Sequence, residues 1–116
     1  MNNTVFNPAI YNNKSIADEM RRQSVLRDMA FNGMDQYRCK KIRKFPHLLG
    51  VAKDLDTPGC LTIRDINGQD DIAVYPDLTL REVIDSFSAK DGVAAVNCYY
   101  VKTIKKAAKI LRECCR

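Results

Sequence analysis

One histidine, five cysteines and two acidic pairs are the side chains of this 116-residue chain with reactivity suited to catalysis or metal binding. His47 could act as a base only with a nucleophile in hydrogen-bond reach and a third group to orient its ring. Directly after Pro46, it reads more simply as a capping or surface residue. Cys39, Cys60, Cys98, Cys114 and Cys115 include no Cys-x-x-Cys pair, whereas structural zinc takes four Cys or His ligands. They read as small buried hydrophobes plus a frayed C-terminal pair. Asp54-x-Asp56 and Asp70-Asp71 lack the glycine-containing loop that wraps calcium. No lysine follows an acid by two residues, and neither Gly-x-x-x-x-Gly-Lys nor Gly-x-Gly-x-x-Gly occurs. These absences lead to the expectation of a non-enzymatic protein with no catalytic residue, metal ligand or cofactor.

Charge gives the stronger signal. The net +5 conceals a segregation: residues 1–37 sum to zero, 38–53 to +6, 54–91 to −6 and 92–116 to +5. Two basic blocks thus flank an acidic middle. If they converge they form a patch near +11, enough to hold a polyanion through counterion release. The candidate nucleic-acid-binding residues are Arg38, Lys40, Lys41, Arg43 and Lys44 in the first block. The second supplies Lys102, Lys105, Lys106, Lys109 and Arg112. Tyr37 and Phe45 bracket the first block and are candidates to stack on an unpaired base. A blander explanation competes, because lysine commonly solvates the outer face of a terminal helix and suits the C-terminal end of its dipole.

These residues need elements to hold them. Residues 1–14, rich in Asn, form an N-terminal arm, and 15–116 form one α+β domain. Ser15 with Asp18 predicts a helix start, Ile16, Met20, Leu26 and Ala30 its apolar face, and Gly33 its stop. Residues 36–44 fit neither the helical nor the strand period. Pro46 opens a short predicted helix through Leu48, Leu49, Ala52 and Leu55, closed at Thr57-Pro58-Gly59.

Runs at 60–66 and 71–75 around Asn67-Gly68 predict a β-hairpin. Thr79-x-x-Glu82 is a capping box opening a helix whose stripe is Leu80, Val83, Ile84 and Phe87. That helix is expected to cover the hairpin. From Gly92 onward, Val93, Val96, Tyr100, Ile104, Ala107 and Leu111 stay on one side at 100° per residue, which favours one long helix. A strand over 93–101 followed by a helix is the competing reading, supported by Val96, Tyr99, Tyr100 and Val101. The fold class is therefore α+β: N-terminal helices, a hairpin at about 60–75 and two C-terminal helices.

Helix, turn and helix around 89–92 also outline a helix-turn-helix, though any two adjacent helices would do so. No basic–apolar leader opens the chain and no apolar stretch approaches the ~18 residues of a membrane span, so a cytoplasmic protein is expected. Two functions follow from different classes. The first is a small regulator binding DNA or RNA through residues 38–53 and 102–116. The second is a protein-interaction module, an inhibitor or adaptor from a mobile element such as a phage, docking on an oppositely charged partner. Self-association through the opposed patches is also open.

Overall fold

Leu48–Ala52 is an uninterrupted apolar run of five residues, too short for a stable helix and right for a strand buried on both faces. It takes that role in the computed structural model, which describes residues 13–43, 45, 48–66, 69–89 and 98–114. The elements in chain order are α1 (Asn13–Phe31), β1 (Arg38–Lys41), β2 (Leu48–Ala52), β3 (Cys60–Ile66) and β4 (Gln69–Tyr75). They are followed by α2 (Leu80–Ala89), β5 (Tyr99–Val101) and α3 (Ile104–Cys114). The five strands form one antiparallel sheet in the order β1-β2-β3-β4-β5.

Alternation along the central strands assigns the two faces. Leu49, Val51, Leu61, Ile63, Ile72 and Val74 point toward α1 and α3, meeting Val25, Met29, Ala107, Ala108 and Leu111. Ala52, Cys60, Ala73 and Tyr75 point the other way, under Leu80 and Val83 of α2. Each fully buried aliphatic side chain contributes about 1.5–3 kcal/mol by leaving water. Gly50 lies at the closest approach of α2. A Cβ there would stand 2.9 Å from Leu80 Cδ1, so the missing side chain lets the helix settle onto the strand. Thr62, a buried polar residue on this face, is hydrogen-bonded through its hydroxyl to the Tyr75 phenol. Burial nonetheless pushes that phenol up to about 12.

The α+β architecture and the 60–75 hairpin match expectation, with Ile66 registered on Gln69 across two residues. The turn residues Asn67 and Gly68, most of the 1–14 arm, and Val93 and Val96 lie outside the described residues. At the end of α1, Met34 N–H donates to the Met29 carbonyl at 2.8 Å and Gly33 N–H to Ala30 at 3.0 Å. Gly33 takes φ of 83°, so the glycine stop is a Schellman motif. The capping box also forms. Thr79 N–H reaches Glu82 Oε1 at 2.9 Å, and Glu82 N–H reaches Thr79 Oγ1 at 3.1 Å.

Several expectations are corrected. The undecided segment 36–44 contains strand β1, and the helix expected after Pro46 is β2, whose lack of alternation reflects burial on both faces. Helix α1 starts at Asn13 rather than at a Ser15 cap, and its buried face is Val25 and Met29. Met20 is 67% exposed and Ala30 also faces outward, because the helix carries two apolar stripes and only one docks on the sheet. The long helix from Gly92 does not form. Tyr99–Val101 instead join the sheet, where Val101 registers on Ile72 and satisfies backbone groups along β4. Helix α3 then begins afresh, with Thr103 Oγ1 accepting from Lys106 N–H at 3.1 Å. Helices α2 and α3 consequently lie on opposite sheet faces with β5 between them in sequence, which is not a helix-turn-helix. The hairpin is covered by α2 on one face and by α1 with α3 on the other.

Candidate nucleic-acid interface

On α3, Ala107, Ala108 and Leu111 are at most 1% exposed, which fixes the opposite arc toward solvent. That arc holds Lys105, Lys106, Lys109 and Arg112, all exposed, with Lys102 exposed just before the helix. Residues three and four apart on a helix bring their Cβ atoms within about 5–6 Å, so these cations form a continuous row. Arg112 reaches across to the Asn32 carbonyl and ties the C-terminal turn of α3 to the end of α1. Among the described residues, no carboxylate forms an ion pair with Lys102, Lys105, Lys106 or Lys109. Glu113 is the one acid within α3; at 100° per residue it falls inside the basic arc, one turn beyond Lys109.

The first block is differently placed. Arg38 and Lys40 register on Ala52 and Gly50, so they share the α2 side of the sheet, while Lys41 registers on Leu49 and points to the α1 side. Lys41 Nζ is bound by Asp18 Oδ2 at 2.9 Å. Arg38 directs its guanidinium back to the Asp35 and Tyr37 carbonyls, both at 3.2 Å. Arg43 is exposed in the turn after the strand, and Lys44 lies outside the described residues. Strand β1 forms one edge of the sheet and β5 the other, four strand spacings or about 19 Å apart. The strands that carry or adjoin the two blocks are thus on opposite edges, but α3 leads back across the sheet face, and its last turn meets Asn32 and shares a cleft with Tyr37 and Lys53.

The aromatic candidates change as well. Tyr37 is 3% exposed, inside the α1–α3 core, and Phe45 packs on Phe87 with ring centroids 5.4 Å apart. Neither ring is free to stack on a base. Instead Tyr99 and Tyr100 stand out on β5, 55% and 65% exposed, immediately before Lys102. Sequence reasoning missed them by placing Tyr100 on the apolar side of a long helix. The β-forming run Tyr99-Tyr100-Val101 was the signal for an edge strand.

Of the acidic pairs singled out in the sequence, Asp54 and Asp56 serve the fold. Asp54 accepts the Asp56 and Thr57 backbone N–H groups at 2.8 Å, and these bonds hold its carboxyl below the usual carboxylate range. Asp56 accepts both arms of Arg81, at 2.8 and 3.3 Å, which lowers its pKa in turn. Among the described residues, no group of three or more His, Cys, Asp or Glu is placed to hold a metal ion, and no helix is long and apolar enough to cross a membrane. An open cleft is lined by Tyr37, Lys53, Thr57, Asp77 and Cys114, with one cation and one carboxylate. No protein-family model, curated protein or solved structure matches this chain.

Proposed function

We propose that this protein is a small non-enzymatic binder of nucleic acid, and that α3 with the adjoining edge strand β5 is its contact surface. The observation that carries this reading is the row Lys102, Lys105, Lys106 and Lys109, exposed and without a carboxylate partner among the described residues. Four ammonium groups in line can neutralise successive phosphates, and the released counterions supply a salt-dependent share of the affinity. Lysines that only solvate a helix would tolerate acidic neighbours. Against these four lysines α3 sets a single carboxylate, Glu113, one turn beyond Lys109, and among the described residues it forms an ion pair with none of them.

The test is fluorescence anisotropy with labelled DNA and RNA at two salt concentrations. Wild-type protein is expected to bind in the micromolar range or tighter and to weaken steeply as salt rises. Changing Lys102, Lys105, Lys106 and Lys109 to Glu is expected to abolish binding. An absence of binding at low salt refutes the proposal.

A second reading, docking on a protein partner, draws on a different observation. Phe31 is 90% exposed and Met20 67% exposed, and eleven residues apart on α1 they share one outer stripe. A pull-down with wild-type protein but not with Phe31→Ser, returning a stoichiometric partner, would favour that reading.

A further inference from the structure

We infer that the polyanion taken by this surface is a single-stranded polynucleotide, with bases stacked on Tyr99 and Tyr100 and phosphates following the α3 lysines. The inference deepens the reading above and rests on it. Both tyrosines stand on β5, which pairs on one side with β4 and forms the sheet edge on the other. Tyr99 registers on Val74 and so faces the α3 side. Tyr100 registers on Ala73 and faces the α2 side. A flexible strand rounding this edge meets one ring on each side and then the row beginning at Lys102.

Two considerations favour a single strand, and a third opposes a second copy of this chain at the same edge. A duplex hides the π-faces of its bases within its own stack, whereas an unpaired strand offers them to exposed rings. The outer arc of α3 presents Lys105, Lys106, Lys109, Arg112 and Glu113 but no Asn or Gln, the side chains that read adenine edges in a major groove. The cations of the arc suit phosphate oxygens, and the edge-strand rings suit base faces. A second copy pairing its own β5 along this edge would set two lysine rows beside each other, and like charges oppose that arrangement.

Electrostatics alone predicts the reverse preference. Duplex DNA has the higher charge density and releases more counterions per contact. A preference for single strands consequently isolates the contribution of the tyrosines. The experiment compares labelled oligo(dT), oligo(U) and a hairpin duplex of equal phosphate number, binding to wild-type protein, Tyr99→Ala/Tyr100→Ala and Tyr99→Phe/Tyr100→Phe.

The expected result is tighter binding of single strands by wild type and a loss of about tenfold or more in the Ala variant. The Phe variant keeps the affinity, duplex binding stays within about twofold, and the melting temperatures agree. Because the chain has five tyrosines and no tryptophan, quenching of tyrosine emission on binding gives a direct second readout. The DNA and RNA arms distinguish which sugar the surface prefers, and tight binding of either satisfies the inference. Unchanged single-strand affinity in the Ala variant, or a wild-type preference for duplex, overturns it while leaving the lysine reading standing. Failure of wild type to bind any of the three overturns the lysine reading itself.

Discussion

Residues 38–53 and 92–116 carry formal charges of +6 and +5, yet the fold uses them in opposite ways. The first block is threaded through an edge strand. Alternation sends its cations to both sheet faces, and the chain engages two of them, Lys41 through Asp18 and Arg38 through backbone carbonyls. The second block lies on a helix, where a buried face of Ala107, Ala108 and Leu111 forces its cations onto one arc. A strand divides a run of like charges, and a helix with the right period collects them. Charge count in sequence is therefore a poor guide to field at the surface until the period is known. The same positions also differ in their rings: Tyr37 and Phe45 are committed to packing, whereas Tyr99 and Tyr100 are exposed.

The sharpest way to break this contrast is to reverse charge on each block separately. Arg38, Lys40 and Arg43 changed together to Glu are expected to lower nucleic-acid affinity by less than about tenfold. The same reversal at Lys105, Lys106 and Lys109 should remove a hundredfold or more, with a shallower salt slope. Equal losses in anisotropy titrations would show that both edges bind.

The thiols give the next largest difference. Burial beside α1 pushes the Cys39 thiol of β1 up to about 11, whereas Cys114 ends α3 exposed. Against an ordinary value of 9.0, that shift leaves Cys39 with about a hundredfold less thiolate near neutral pH. Mass spectrometry after timed iodoacetamide treatment should find Cys114 modified well before Cys39. The sign for stability follows from the same shift. The folded pKa lies above the unfolded one, so the stabilisation is intact below about 9 and is lost as pH rises toward 11. Alkaline melts should reveal this loss, and Cys39→Ala should flatten it.

Smaller effects test the supports. Thr103→Ala removes the cap of α3 and is expected to cost about 1 kcal/mol in chemical denaturation. Asp18→Asn frees Lys41 from an exposed pair, costing less than about 1 kcal/mol and raising the affinity contributed by β1 at most a few-fold. A gain in affinity of tenfold or more in that variant would show that β1 contributes as strongly as α3.

What was legible in the sequence tracks how local the signal is. Asn67-Gly68 between two β-rich runs, Thr79-x-x-Glu82 and Gly33 each act within a few residues, and hairpin, capping box and helix stop follow from them. Elements decided by distant partners were not legible. Leu48–Ala52 became a strand because both of its faces are covered, and Tyr99–Val101 because β4 offered an open edge. The α1 face was ambiguous because two apolar stripes compete and tertiary packing chose Val25 and Met29. In the candidate site, the α3 cations were readable from spacing alone. Their placement relative to the β1 cations was not, since strand order and the path of α3 across the sheet decide it.

That strand order has a kinetic consequence. Every strand hydrogen-bonds to its neighbour in the chain, and between β4 and β5 the chain leaves the sheet to lay down α2. Short loops close at small entropic cost, so β1 to β4 can zip in succession ahead of the longer return. The edge that carries Tyr99 and the lysine row is then the last piece to arrive. Pulse-labelled amide exchange during refolding should find β3 and β4 protected before β5, so that a nascent chain acquires its scaffold first and its proposed contact surface at the end.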